Sequence, residues 1–140
     1  MPREVDMSHE PRGLRNKNPF NVRISNQKWK GKLSTNTDGA FEQFDTIENG
    51  IRCGLIILRT YIEKYHLVTV DAIIKRFAPS NENDTEAYIK TVCKETGFER
   101  FQTLEFTLDD MLPLVKGICF VENGGHLIGN DQIMKAWSLI

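Results

Sequence analysis

The feature that most constrains the fold is a change of pattern close to residue 47 of the 140-residue chain. Beyond it, apolar side chains recur every three or four positions, and this spacing is typical of amphipathic helices. Thr69 and Thr107 have side chains that favour a helix start, and Gly97 favours a helix end. We therefore predict helices at residues 48–65 and 70–77, from Asp84-Thr85 to Gly97, at 107–121 and at 131–138.

The segment before this change, residues 12–44, is rich in Asn, Gly and Lys and has little helical periodicity. Short pieces with strand composition lie at residues 20–24, 29–33 and 40–44, and Asp38-Gly39 is a common hairpin turn. A small β-hairpin region is therefore expected ahead of the helices. We predict a mostly helical α+β fold in a single domain at residues 12–140, after a flexible arm at residues 1–11.

The charge balance and hydropathy argue against two classes of partner. The chain has 18 Lys and Arg against 19 Asp and Glu, a net charge of −1. Proteins that bind nucleic acid normally have a basic excess, so we expect no nucleic-acid partner. No apolar run approaches the roughly 18 residues that span a bilayer, and the polar N-terminus MPREVDMSHE does not resemble a signal peptide. We expect synthesis in the cytoplasm and no membrane span.

The cysteines and histidines show no spacing typical of a metal site. Neither a CxxC nor an HExxH motif occurs, and the six residues are scattered along the chain: Cys53, Cys93, Cys119, His9, His66 and His126. The cysteines lie in apolar, helix-like stretches, so they are interpreted as buried, reduced thiols. We predict no metal and no cofactor.

Glu122 is the residue that most suggests chemistry. Met111, Val115, Ile118 and Glu122 are spaced i, i+4, i+7 and i+11, so they share one face of the predicted helix. Partial burial and the negative end of the helix dipole would both raise the pKa of this carboxyl group. A protonated carboxyl group can act as the general acid that a glycosidic oxygen needs. The alternative is a Glu side chain that turns into water at an ordinary helix end.

Several motifs together resemble a family of phage and prophage proteins. Its members open with RG-x-R-N-x-N-P-x-N-[IV]-R and carry later G-I-R, A-P-x-x-E-N-D-T-x-x-Y and E-N-G segments. The corresponding segments here are RGLRNKNPFNVR at 12–23, Gly50-Ile51-Arg52, Ala78-Pro79 with Glu82-Asn83-Asp84-Thr85 and Tyr88, and Glu122-Asn123-Gly124. The resemblance covers roughly residues 12–125. It implies a virion-associated or structural phage protein, with other virion proteins as partners.

The same segments are similar, in a different order, to the lysozyme-like superfamily. In its cell-wall glucosaminidases and lytic transglycosylases, a helix ends in E-S-G, and an N-rich stretch, a W-x-G and an F-x-x-[FY] hairpin follow. Here Trp29-Lys30-Gly31 and residues 41–44 precede the helix end, as in a circular permutation. Asn123 replaces the usual Ser, and Asn21 replaces a Gly. The resemblance implies a circularly permuted lysozyme-like domain.

This second resemblance implies cleavage of the β-1,4 glycan strand of peptidoglycan, with Glu122 as acid and then base. Asp38 and Glu42 are the candidates for a second catalytic carboxylate, and Asp45 is a poorer one. A second acid about 5–10 Å away would support hydrolysis. A lone Glu would suit intramolecular transglycosylation. The protein would then act from the phage virion or after release to the cell wall.

A set of polar and aromatic residues could bind the glycan. Amide and guanidinium groups match the hydroxyl and N-acetyl groups of sugars, and aromatic rings can stack on a sugar face. The candidates are Arg15, Asn16, Asn18, Asn21, Trp29, Gln43, Tyr88 and Asn123. The alternatives are loop residues that bond to the backbone and aromatics that belong to the core. Two functions therefore stay open, a glycan-cleaving enzyme and a non-catalytic virion or assembly protein, with nucleic-acid binding a weaker third.

Overall fold

The computed structural model describes residues 10–140. Most of the expected flexible arm, residues 1–9, lies outside this described part. The helices are α1 (Arg12–Arg15), α2 (Ile47–Arg59), α3 (Val70–Phe77), α4 (Thr85–Thr96), α5 (Leu108–Asn123) and α6 (Asn130–Ser138). A π-helical turn at Thr60–Lys64 extends α2. The helices expected from the apolar periodicity are therefore confirmed, and the division into an arm and one domain stays a prediction.

A side-chain cap begins each of the helices α2, α3, α4 and α5. The side chains of Thr46, Thr69, Asp84 and Thr107 each accept a hydrogen bond from a backbone N–H in the first turn. These bonds satisfy donors that the helix itself leaves without a partner. At the other end, α4 is closed by a glycine in the left-handed conformation, Gly97 with φ 78°. The local sequence thus defines where the helices start and stop.

The predicted β-hairpin is wrong, and so is the α+β class. Between residues 10 and 140 the structure has no β-strand, only two isolated antiparallel bridges, Arg23 with Phe41 and Lys32 with Phe44. The fold of the described chain is helical, with a long irregular segment between α1 and α2. The lysozyme-like α+β description depended on that hairpin subdomain and is corrected with it.

Side chains replace the strand ladder in this irregular segment. Asn18 donates to the carbonyl oxygens of Val22 (2.9 Å) and Glu42 (3.0 Å) and accepts from the N–H of Val22. Asn36 accepts from the N–H groups of Asp38 and Gly39. Because these side chains occupy backbone groups that a neighbouring strand would use, the alternating pattern does not become a sheet.

The core is built around α5. Met111, Val115 and Ile118 are fully buried on one of its faces, and α5 packs most extensively against α4. On the other side of the core, α2 packs against α6. Of the three free cysteines, Cys53 and Cys119 are buried and Cys93 is partly buried. No helix of the described chain is long and apolar enough to cross a membrane.

A close approach brings the opening segment against α2. Phe20 is 1% exposed, and its ring lies directly over Gly54 of α2. A Cβ atom at residue 54 would overlap that ring, so the position requires glycine. Phe20 also meets Phe77 edge to face, with ring centroids 5.9 Å apart. The residues that follow Phe20 are thereby held next to the helical core.

Candidate active site

Glu122 lies in the last turn of α5, as its spacing predicts. The helix ends at Gly124, which adopts the left-handed conformation with φ 71°. The three apolar residues on the same face are completely buried, whereas Glu122 is partly buried. The prediction of a carboxylate at the end of an apolar helix face is therefore confirmed.

Both oxygens of the Glu122 carboxyl group accept a hydrogen bond. The hydroxyl group of Tyr88, from α4, donates to Oε2 at 2.8 Å. The amide Nδ2 of Asn21 donates to Oε1 at 2.8 Å and also lies 3.3 Å from the Glu122 carbonyl oxygen. Two donors from distant parts of the chain thus fix the position of one carboxyl group.

The surroundings of Glu122 favour its protonated form. Burial raises the pKa of the carboxyl group above its usual range, and the hydrogen bonds from Asn21 and Tyr88 offset only part of that rise. Burial also holds the pKa of Tyr88 well above the usual value for tyrosine, and the nearby Glu122 adds to the effect. Tyr88 therefore stays a neutral hydrogen-bond donor while Glu122 titrates.

Asn21 adopts an uncommon backbone conformation to reach Glu122. Its φ is 50°, in the left-handed region that Asn tolerates better than most residues. A hydrogen bond from its own N–H to the Asn18 carbonyl oxygen (2.9 Å) stabilises this turn. The backbone turn at Asn21 is therefore one that its side-chain type can adopt at modest cost.

Asn123 joins the end of α5 to the same turn. Its Nδ2 donates to the carbonyl oxygen of Pro19 at 2.9 Å and to that of Cys119 at 2.9 Å. The Cα of Gly13 packs against the side-chain oxygens of Asn123 and Asn21, and a Cβ there would collide with Asn123. The opening motif and the E-N-G tripeptide therefore form one structural unit.

Two pockets meet at Glu122. One has a volume of about 290 Å³ and the other about 340 Å³, and both are lined by Glu122 and Asn83. The first is lined in part by aromatic rings, those of Phe20, Phe41, Tyr61 and Phe77. The lining of the second includes Asp84, Tyr88 and Thr91. A carboxyl group between two adjoining pockets can contact the middle of an extended ligand.

An ion pair lies on the wall of the aromatic pocket. Nη2 of Arg23 is 3.5 Å from Oε1 of Glu82, and both side chains are exposed. The guanidinium group of Arg23 also lies over the Phe41 ring, 5.2 Å from its centroid. No binding role was predicted for Arg23, Glu82 or Phe41, although all three lie inside the quoted motifs. Tyr61 on the π-helical turn and Phe77 on α3 have no recognisable signal in the sequence, since only folding brings them to this pocket.

Asp38 is held in a hydrogen-bond network that includes the backbone N–H of Phe41, a residue of the first pocket's wall. Its carboxylate accepts from Nε and Nη2 of Arg12, each at 2.7 Å, and from Nδ2 of Asn16 at 3.0 Å. The hydrogen bonds from Arg12 hold the pKa of Asp38 well below its usual range, and bonds from Asn16 and two backbone N–H groups add to this. Asp38 lines neither of the pockets that Glu122 lines.

Glu42 is also committed to internal contacts. Its side chain is 1% exposed and lies 3.0 Å from the ammonium group of Lys32. It accepts a further hydrogen bond, 3.2 Å long, from the N–H of Ser25. Like Asp38, it lies outside the lining of both pockets. The structure therefore brings neither candidate for a second carboxylate into the space beside Glu122.

The predicted glycan-binding residues fall into separate groups. Asn21 and Tyr88 contact Glu122, whereas the Asn123 side chain bonds to backbone carbonyl groups. Asn16 and Asn18 are buried in the irregular segment, where Asn16 accepts a bond from Gln43. The remaining residues lie elsewhere: Arg15 is exposed on α1, and Trp29 lines a different pocket. Of the predicted glycan-binding residues, Asn21 and Tyr88 therefore line the pockets at Glu122 and can contact a ligand there.

Comparison with known proteins supplies one relative. The chain is 41% identical over 137 residues to Protein P5 of Pseudoalteromonas phage PM2, across 95% of this chain and 84% of that protein. The chain belongs to the Protein P5 family. The expected relationship to phage proteins is therefore confirmed. The name Protein P5 states no activity, so glycan cleavage and a place in the virion remain predictions for this member of the P5 family.

The site of this P5-family protein contains no candidate metal centre. Within residues 10–140, no three His, Cys, Asp or Glu side chains come together in a way that could hold a metal ion. No protein-family profile matches the chain.

Proposed function

We propose that this phage protein cleaves the glycan strand of peptidoglycan, with Glu122 as general acid and then base. The observation that carries the proposal is a partly buried carboxyl group with a raised pKa, held by Tyr88 and Asn21 between two adjoining pockets. Such groups occur preferentially at functional sites. An extended sugar chain could occupy both pockets and place one glycosidic oxygen at Glu122.

The proposed reaction starts from protonated Glu122. The proton moves to the glycosidic oxygen while the bond between this oxygen and the anomeric carbon breaks, and the sugar passes through an oxocarbenium-like transition state. The Glu122 carboxylate then removes a proton from the hydroxyl group that attacks the anomeric carbon. Tyr88 and Asn21 stabilise this carboxylate through their hydrogen bonds, so that the same residue can serve as acid and base.

We infer that the attacking hydroxyl group belongs to the substrate itself. Intramolecular transfer needs one carboxyl group, and within residues 10–140 only Glu122 lines both pockets. Glu82 lines the first pocket alone and pairs with Arg23, and Asp84 lines the second alone and caps α4. Asp38 and Glu42 are held by Arg12 and Lys32 instead. Their role as a second catalytic carboxylate stays a prediction that this mechanism does not require.

A second candidate function is a non-catalytic virion or assembly protein. Membership of the Protein P5 family favours it, since the relative is a phage protein. The ion pair between Arg23 and Glu82 favours it too, because an intact pair would narrow the aromatic pocket. In this alternative the hydrogen bonds of Glu122 stabilise the fold, and the partners are other proteins of the virion.

The test is release of soluble fragments from purified peptidoglycan. We expect release by the wild type, loss of release in Glu122→Gln, and wild-type release in the matched control Glu63→Gln, whose side chain is exposed on the π-helical turn. Fragments one water lighter than hydrolysis products would identify intramolecular transfer. Background release by the folded wild type, equal to that of Glu122→Gln, would reject the enzyme and leave the structural function.

A further inference from the structure

A third pocket, on a different surface, is lined by cations. It has a volume of about 330 Å³, and the side chains that line it include Lys28, Lys30, Arg52 and Arg59. No Asp or Glu lines it, although the chain as a whole has a net charge of −1. Its remaining lining residues are Gln27, Trp29 and Ile56. This basic pocket shares no residue with the two pockets at Glu122.

Two segments of the chain build the basic pocket. Arg52, Ile56 and Arg59 are spaced i, i+4 and i+7 along α2, so they lie on one face of that helix. The loop at residues 27–30 lies against this face. Nε of Arg52 donates to the carbonyl oxygen of Leu139 at 3.1 Å, which holds the guanidinium group in place. The wall of the basic pocket that carries Arg52 and Arg59 is therefore part of helix α2.

The polar groups of the basic pocket are mostly donors. Lysine, arginine and tryptophan side chains donate hydrogen bonds and accept none. Within residues 10–140, Lys28, Lys30 and Arg59 form no ion pair, and the buried Nε1 of Trp29 has no hydrogen-bond partner. Four positive charges without a lining carboxylate match a ligand that is anionic and rich in acceptors.

We propose that the basic pocket binds a phosphate group. A phosphate offers several acceptor oxygens and up to two negative charges, and Arg and Lys are the side chains that recognise it in proteins. The pocket is larger than an inorganic phosphate ion needs, so it can also hold a phosphate group carried by a lipid head group. The binding is independent of Glu122 and of the proposed glycan cleavage.

The experiment is a titration followed through the indole N–H signals in a nitrogen–proton NMR spectrum. The chain has two tryptophans, and Trp137→Phe identifies the signal of Trp29. With inorganic phosphate at constant ionic strength, we expect a saturable shift of the Trp29 signal and none of the Trp137 signal, which comes from α6. Sodium chloride over the same range should not reproduce it.

Matched double variants test the cations. Lys28→Gln with Lys30→Gln should weaken phosphate binding by about tenfold. Lys90→Gln with Lys94→Gln removes the same charge from exposed positions on α4 and should leave the affinity unchanged. Thermal unfolding followed by circular dichroism shows that each variant is folded.

Phosphatidylglycerol vesicles distinguish the source of the phosphate. Saturable binding of inorganic phosphate identifies a site for free phosphate. Binding to the vesicles but not to inorganic phosphate identifies a site for a lipid head group, provided that the Lys28 and Lys30 double variant loses it and the Lys90 and Lys94 double variant keeps it. Both results support the phosphate pocket. It is overturned if neither probe binds saturably, or if both double variants weaken binding equally.

Discussion

The hydroxyl group of Tyr88 offers a sharp test of how Glu122 is held, through the change Tyr88→Phe. The substitution keeps the aromatic ring in the core and removes the 2.8 Å hydrogen bond to Oε2 of Glu122. A hydrogen bond to an ionised group contributes about 1.5–3 kcal/mol, and one between neutral groups about 0.5–1.5 kcal/mol. The variant should therefore lose about 1 kcal/mol more stability when Glu122 is ionised than when it is protonated.

The raised pKa of Glu122 determines how the stability loss in Tyr88→Phe changes with pH. Because the folded-state pKa of Glu122 is raised, its contribution to stability is greatest below the unfolded value of about 4.3 and is lost as the pH rises through the folded pKa. Tyr88→Phe removes a donor that favours the carboxylate. The stability lost in Tyr88→Phe should therefore be larger above the folded pKa of Glu122 than below it. Each kcal/mol of lost stability lowers the thermal unfolding midpoint by about 4 °C.

Thermal unfolding of four proteins checks this prediction. The wild type, Tyr88→Phe, Glu122→Gln and the double variant are compared at about pH 4 and about pH 8, on either side of the titration. The pH-dependent part of the Tyr88→Phe effect should vanish when residue 122 is Gln. An equal loss at both pH values when residue 122 is Glu, or a pH-dependent loss that persists when it is Gln, would refute the coupling between the hydroxyl group and the carboxylate.

Three further predictions concern packing and charge. Gly54→Ala should lower the free energy of unfolding by about 1–3 kcal/mol, because the new methyl group meets the Phe20 ring, and an unchanged urea midpoint would contradict this. Asp38→Asn should be less stable than the wild type at neutral pH, because Arg12 depresses the pKa of Asp38; the difference should shrink as the pH falls below about 4, which thermal unfolding across pH measures. Glu82→Gln breaks an exposed ion pair, so its free energy of unfolding should stay within about 0.5 kcal/mol of the wild type by urea denaturation, and a larger loss would show that the pair stabilises the fold.

The helices could be predicted because their signals are local. The side chains of Thr69 and Thr107 begin α3 and α5 by accepting bonds from residues three positions along. Pro79 follows α3 closely, and Gly97 caps α4. Each of these signals acts within one turn of helix, where the sequence alone contains the needed information.

The β-hairpin could not be predicted correctly for a physical reason. Alternating apolar residues show that a segment is half buried, but they do not show which groups take its backbone hydrogen bonds. In this chain Asn18 and Asn36 bond to those groups, and only isolated bridges remain. The competition depends on which residues fold back onto each other, and spacing does not report it.

The candidate site was predictable in part. Glu122 was visible because a carboxylate stood in an apolar helical pattern. Its contact with Asn21 joins residues 101 positions apart, and sequence resemblance anticipated it only as a permuted motif. The pairing of Arg23 with Glu82 and the meeting of residues 27–30 with α2 depend on tertiary packing, which left no local signal.

The decisive measurement for Glu122 as a general acid is the pKa of its carboxyl group in the folded protein. Carbon NMR of the side-chain carboxyl groups can follow its titration, and the signal is identified by its absence in Glu122→Gln. We expect a midpoint above the ordinary glutamate value of about 4.3, because burial outweighs the two hydrogen bonds. A midpoint at or below that value would show that the site does not favour the protonated form, and the proposed general acid would have to be abandoned.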